Sequence, residues 1–178
     1  MTTLYFEDLV EGQRWVSQAR TVTETDVVNF SGLSGDFNPI HLDRESTKDG
    51  LFGQRVAHGI LGVAMATGFL DSLGLFKTSM GAMLEIERWR FRKPIFIDDT
   101  IHLELTIVSK RLTSKGTNGV VRRQLALVNQ DGVVVQEGII TVIVLCRTSS
   151  TTMTDSTTMT APDVAAPALS APPEAVAP

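Results

Sequence analysis

Asp36, Asn38, Pro39 and His41 lie together in one polar loop, Phe30 to Asp43 (FSGLSGDFNPIHLD), between two apolar, helix-like stretches. Asp36 and His41 stand five positions apart, a spacing that suits no single helix face, so their side chains converge only if the chain turns back around Asn38-Pro39. Asn before Pro favours such a turn. Downstream, the apolar run Val56 to Leu70 (VAHGILGVAMATGFL) is rich in Gly and Ala and begins at His58-Gly59. A buried helix starting there presents free backbone N–H groups to a ligand. An acid, an imidazole and a helix N-terminus suit proton transfer beside a polarised carbonyl.

The elements that must position these groups are legible as breaks and periodicities. Arg14 to Thr23 alternates as a strand, and Thr23-Glu24-Thr25-Asp26 supplies a cap and early acids for a helix to about Leu33, which Gly35 ends. Asp43 to Asp49 fits one short helical turn, and Phe52-Gly53-Gln54 leads into a buried helix from about His58 to Leu73. Beyond Gly74 the pattern becomes strand-like over Ala82 to Arg92, Thr100 to Lys110, Val120 to Asn129 and Val133 to Leu145. Pro94, Asp98-Asp99, Lys115-Gly116 and Asp131-Gly132 mark the breaks. The order strand, helices, four strands predicts an α+β fold in which an antiparallel sheet wraps one central helix. The small residues Gly59, Gly62, Ala64, Ala66 and Gly68 would let the sheet come close to that helix.

Composition bounds the function classes. With 178 residues, 43% of them hydrophobic and 20% charged, the chain is long enough for one substantial core. A net charge of -4 and a pI near 5.3 argue against a nucleic-acid partner. No run is long and apolar enough to span a bilayer, and MTTLYFEDLVEGQRW lacks the basic and apolar regions of a secretory signal, so a cytoplasmic location is expected. Cys146 is the only cysteine, which excludes a disulfide framework and reads as a small buried hydrophobe. From Thr148 onward the chain is rich in Ser, Thr, Ala and Pro with no Lys, Arg, Gly or aromatic residue. Residues 1–147 are therefore expected to form the body and 148–178 a disordered tail, with a docking segment as the alternative.

The loop also resembles a known signature. Phe30, Ser34, Gly35, Asp36, Asn38, Pro39, Ile40 and His41, followed by His58-Gly59, fill the places of the motif of MaoC-like, (R)-specific enoyl-CoA hydratases, a branch of the hotdog fold. The likeness runs from about Phe6 to about Cys146. It departs at Thr47, preceded by Ser46, where the pattern usually has Ala or Ser, a variation that reads as local packing. The resemblance implies a hotdog homodimer without a cofactor, coenzyme A being part of the acyl thioester substrate. It implies hydration of a trans-2-enoyl-CoA to an (R)-3-hydroxyacyl-CoA, reversible as dehydration. The alternatives are an acyl-carrier-protein dehydratase and a non-catalytic acyl-CoA-binding subunit. His41 would be the general base, Asp36 its partner on a shared water, and the Gly59 N–H the donor to the thioester oxygen. Asn38 would orient the dyad or bond only its own turn. Thr67 would sit near the dyad as a supporting hydroxyl, with Leu70 beside the acyl chain.

Other candidates have plainer readings. His58 reads as a hydrogen-bonded helix-start residue and His102 as a surface or packing residue. A metal site from Asp36, His41 and Asp43 has the right ligand types but no second ligand cluster, so no metal is expected. In the run Glu85 to Lys93, strand alternation places Arg88, Arg90 and Arg92 on one face and Trp89 and Phe91 on the other. The three guanidinium groups could hold coenzyme A phosphates, or form a solvated face partnered by Glu85 and Glu87.

Overall fold

The computed structural model describes residues 3–147. The tail expected over 148–178 lies outside the described residues. Within them, β1 (Arg14–Val16), β2 (Arg20–Thr21), helices α1 (Glu24–Ser34), α2 (Pro39–Leu42), α3 (Arg44–Thr47) and α4 (Gly59–Ser72) precede four long strands. Those strands are β3 (Met80–Phe91), β4 (Thr100–Leu112), β5 (Asn118–Val128) and β6 (Val134–Leu145). The sheet order is β1-β4-β5-β6-β3 with β2 also on β4, and every pairing is antiparallel.

The sheet wraps α4, which is the hotdog arrangement. Period-two burial shows how: Ile101, Leu103, Leu105 and Ile107 of β4 are fully buried while the residues between them are half exposed. From the other side α4 contributes Leu61, Met65, Ala66 and Phe69 to the same core. Close approach is built into three glycines. A Cβ on Gly62 would lie 2.4 Å from Gln136 Nε2, one on Gly138 2.5 Å from Trp89 Cε3, and one on Gly59 2.8 Å from Phe91 Cε1. Such contacts are far inside van der Waals separation, so these positions must stay bare.

One expectation changes, and another holds with an added bulge. The strand expected over Arg14 to Thr23 is two short strands, because Ser17 interrupts it: its N–H donates to the Leu103 carbonyl and its Oγ accepts from the Leu103 N–H. The register slips accordingly, from Val16 opposite Glu104 to Arg20 opposite Ile101, four residues against three. The alternation expected along Arg88 to Arg92 holds, with Arg88, Arg90 and Arg92 on the outer face and Trp89 and Phe91 turned to Gln136 and Gly59, but it does not extend back to Glu87. Arg88 adopts φ 50 within a bulge, Glu87 facing Ile139 and Arg90 facing Glu137 with only Gly138 between. The extra residue turns Trp89 inward to Gln136 and leaves Arg90 on the sheet face away from α4. Among the described residues no helix is long and apolar enough to cross a membrane.

Candidate active site

The polar loop is shaped by its own side chains. Thr23 and Asp26 close a capping box at the start of α1, and Gly35, at φ 77, ends that helix with its N–H on the Ser31 carbonyl. Asn38 then caps α2: its Oδ1 accepts from the Ile40 N–H at 3.1 Å, with Pro39 at the first helical position. The Asn38 N–H in turn donates to Asp36 Oδ1 at 3.2 Å. One carboxylate oxygen of Asp36 is thereby held by the turn and the other is left free. Of the two roles expected for Asn38, the structure shows the turn-forming one, and through it the residue orients Asp36.

The free oxygen, Asp36 Oδ2, lies 3.8 Å from His41 Nε2. That is too long for a direct hydrogen bond and suits a water about 2.8 Å from each atom. His41 is fixed from behind, its Nδ1 2.7 Å from the Val56 carbonyl. A carbonyl oxygen only accepts, so Nδ1 carries the proton and a neutral imidazole keeps its lone pair on Nε2, facing Asp36. The ring is nearly covered, with 12% of its side chain exposed against 52% for Asp36. The Val56 N–H donates back to the Ile40 carbonyl at 3.2 Å, so the two segments clasp each other.

His58 locks the loop to α4. It is 3% exposed, its Nε2–H donates to the Asp36 backbone carbonyl at 3.0 Å, and Ser31 Oγ lies within 3.3 Å of the same nitrogen. Its ring stacks on His41 with centroids 3.7 Å apart and meets Phe30 in a tilted contact at 5.0 Å. The helix-start reading of His58 thus gains a second part, as the floor on which His41 rests. Asp36, His41 and His58 each offer a potential ligand atom within 4.8 Å of one another. Stacked rings with an interplanar angle of 25°, however, direct their lone pairs side by side rather than onto a common point. Asp43, the third member of the metal set weighed from sequence, is occupied in capping α3, accepting from the Glu45 and Ser46 N–H groups at 2.8 and 3.1 Å. Those donors hold its carboxyl below the usual range. Thr47 is buried and its hydroxyl donates to the Asp43 carbonyl at 2.9 Å, a packing role within α3.

Gly59 is the first residue of α4, so its N–H has no acceptor within the helix. Its absent side chain makes room for the Phe91 ring, and its carbonyl accepts from Gln136 Nε2 at 3.1 Å. Gln136 is 2% exposed and receives Trp89 Nε1–H on its Oε1 at 3.1 Å. This chain of bonds ties the helix start to β6 and β3. Sequence reasoning missed Gln136, whose only advance signal was one polar residue in an apolar strand. It also missed Arg55, 8% exposed, whose guanidinium donates to Glu24 Oε1 at 2.7 Å while Arg44 takes the other oxygen at 3.0 Å. The Arg55 hydrogen bond, reinforced by both charges, lowers the Glu24 pKa, and the two arginines tie α1 to α3 and to the segment after it.

Five expected substrate-binding residues fall away from the dyad. Thr67 is exposed, two turns into α4, and its hydroxyl donates to the Ala64 carbonyl at 2.7 Å, so it supports its own helix and not Asp36 or His41. Arg88 and Arg90 line a surface cavity of about 190 Å³ with Gln124 and Glu137, on the face opposite α4. Arg92 is spent on Glu137, its Nε donating to Oε1 at 2.8 Å, and Glu87 pairs with Arg122, not with these arginines. The three therefore do not form one phosphate-binding row beside the dyad of the same chain. Leu70 is half-buried against the core and lines a cavity of about 110 Å³ with Phe76. His102 is half-buried on β4 opposite Val128, as a packing residue should be. A cavity of about 510 Å³ runs along α4 beside Ala64 and Gly68, bounded by Gln18 to Arg20, and includes none of the loop residues.

Comparison with known proteins agrees with this geometry. The family model described as "MaoC like domain" matches residues 6–129. The (R)-specific enoyl-CoA hydratase of Rhodospirillum rubrum is 36% identical over 104 residues, 58% of this chain and 69% of that protein. Protein MaoC of Klebsiella aerogenes is 37% identical over 111 residues, covering 62% of this chain but only 32% of the Klebsiella protein. Among solved structures, the monoamine oxidase regulatory protein of Archaeoglobus fulgidus superimposes with a TM-score of 0.75 at 34% identity, over 81% of this chain and 95% of its own. By sequence, fold and loop geometry, this chain belongs to the MaoC-like domain family.

Proposed function

We propose that the protein is a hydro-lyase that adds water to trans-2-enoyl-CoA thioesters to give (R)-3-hydroxyacyl-CoA, and that it runs in reverse as a dehydratase. The observation that carries this reading is the locked tautomer of His41: the Val56 carbonyl holds Nδ1–H and leaves Nε2 basic, 3.8 Å from Asp36 Oδ2. A water shared by these two atoms loses a proton to His41 as its oxygen bonds to C3. The electron pair of the double bond moves toward C2, and negative charge gathers on the thioester oxygen at the open N-terminus of α4. The Asp36 carboxylate takes that proton from His41 and delivers it to C2, so one water is added whole and the dyad is regained. Both groups act from one side of the substrate, which makes the addition syn. Positioned acid and base groups contribute roughly 10²–10⁴ in rate, and one backbone donor at the oxyanion about 3 kcal/mol.

The working unit is a cytoplasmic homodimer. Strand β3 is twelve residues long, ends the sheet, and exposes Met83 (57%), Ile86 (46%) and Phe91 (55%), the last of these beside the Gly59 helix start. A long apolar edge of this kind favours pairing with another strand, and a second copy joined edge to edge covers it. The test is absorbance of crotonyl-CoA and longer 2-enoyl-CoAs with purified protein, chiral analysis of the product, and light scattering. Inert thioesters, an (S) product or a fully active monomer would each overturn the corresponding part.

A further inference from the structure

The fold fixes the charge of His58 as well as its place. The residue is 3% exposed, and its Nδ1 is buried with no hydrogen-bond partner. Its Nε2 lies 3.0 Å from the Asp36 carbonyl, which only accepts, so Nε2 carries the proton and Nδ1 is a bare lone pair. Ser31 Oγ, 3.3 Å from the same nitrogen, can accept alongside. A second proton on Nδ1 would make a covered cation whose new N–H has no acceptor, an arrangement that burial opposes. His58 is therefore a neutral imidazole.

Against this ring lies the one whose charge must change. His41 stacks on His58 with centroids 3.7 Å apart and an interplanar angle of 25°. When His41 takes the proton of the attacking water, its Nδ1–H is already on the Val56 carbonyl and its new Nε2–H faces Asp36, so both nitrogens are met in the ring plane. The face of the ring is met by His58. A cation within about 6 Å of the centre of a neutral aromatic face is attracted by its electron density, the more so where water is excluded, and the His41 side chain is 12% exposed. Neutral His41 lacks that attraction, so the stack favours the state formed during the reaction over the resting one. The titratable groups in contact with His41 are Asp36 from its own loop and His58 from the start of α4, while Arg55, next to Val56, is paired with Glu24.

We propose that the neutral His58 ring stabilises the imidazolium form of His41 through its π face, as a positioning residue that acts on the dyad through the stack. Its share in catalysis rests on the hydro-lyase reading; the stabilisation of the charged ring does not.

The test separates the ring from its N–H. His58→Gln sets an amide N–H where Nε2 stands and removes the ring. With crotonyl-CoA its kcat should fall about 10-fold while KM stays within about twofold and the protein melts close to the parent. A residue that served only as a donor to the Asp36 carbonyl would leave that kcat unchanged. His58→Phe and its mono-, di- and trifluorinated analogues do the converse, keeping a ring of nearly constant size while draining its face of electron density, and kcat should fall with each fluorine at constant KM. A His58→Gln kcat within about twofold of the parent, or equal kcat along the fluorinated series, would overturn the proposal. If one of the two substitutions fails to fold, the other decides. NMR of the His41 ring gives a readout free of turnover: through a pH titration it should take up its proton at lower pH in His58→Gln than in the unsubstituted protein, and coincident titrations would overturn the stack's role. A parent protein inert toward every 2-enoyl-CoA refutes the hydro-lyase reading instead, and the titration then decides this one alone.

Discussion

Asp36→Asn separates chemistry from architecture at the dyad. The amide keeps a carbonyl oxygen that accepts from the Asn38 N–H, the bond that Asp36 Oδ1 makes at 3.2 Å. In place of Oδ2 it sets an NH₂ facing His41 Nε2 across 3.8 Å. Two things are lost together: a group able to deliver a proton to C2, and an open lone pair on His41, toward which the amide N–H now points. The kcat for crotonyl-CoA should fall by at least about 10²-fold, equivalent to about 2.7 kcal/mol of transition-state stabilisation. KM should move little, since Asp36 faces the water and not the acyl chain. Stability should also hold, because the side chain is half exposed and its one backbone bond survives, so any change should stay within about 0.5 kcal/mol. Initial rates from the loss of enoyl absorbance, with thermal melts of the same samples, read both quantities. A variant within about threefold of the parent kcat would refute the shared-water mechanism, and a large drop in melting temperature would show that Asp36 is structural.

His41→Gln should likewise cost at least about 10² in kcat, and it should also loosen the loop, because the Val56 carbonyl loses its imidazole donor; activity near the parent value would remove His41 as base. Gln136→Leu leaves the Gly59 carbonyl and Trp89 Nε1 without partners, at about 1–3 kcal/mol for each buried group left unpaired, so both melting temperature and kcat should drop, and an unchanged kcat would show that the helix start is held without it. Glu87 is held at about 2 chiefly by its hydrogen bond from Arg122. A carboxylate with its folded pKa depressed stabilises the fold at and above the ordinary range and loses that contribution as pH falls toward 2. Melts of Glu87→Gln between about pH 5 and 2 should therefore fall less steeply with acid than those of the parent, and parallel curves would contradict the pairing.

Much of the fold could be read from local pattern because its signals are local. The Thr23 to Asp26 cap, the Gly35 stop and the four strand-like runs each depend on residues within a few positions of one another. What failed was decided across the sheet. Nothing near Ser17 foretells that Leu103, 86 positions away, will take both of its hydrogen-bonding groups and split the strand. Nothing in the run Glu87 to Arg92 foretells that Gly138 will admit the Trp89 ring and force a bulge at Arg88. The period-two reading of Arg88 to Arg92 survives, but it cannot be carried back to Glu87, because there two residues face one and Glu87 and Arg88 share the outer face.

The site shows the same division, and it also shows why residue types outran residue placement. Asp36, Asn38 and His41 could be picked out because a turn brings neighbours together, and the structure assembles them through the bonds from Asn38. The state of His41 could not, since it is set by the Val56 carbonyl fifteen positions on, and any residue there carries a carbonyl. A backbone group has no sequence signature. The same holds for the glycines of α4: composition suggested close packing along the helix, yet Gly59 and Gly62 face one aromatic ring and one amide, while Gly68 meets nothing within 4 Å. Gly68→Ala should then be tolerated, gaining about 1 kcal/mol of helix propensity. Gly62→Ala must displace Gln136 and with it the anchor of the Gly59 carbonyl, so a stable, fully active Gly62→Ala protein would show that the helix start does not depend on that anchor.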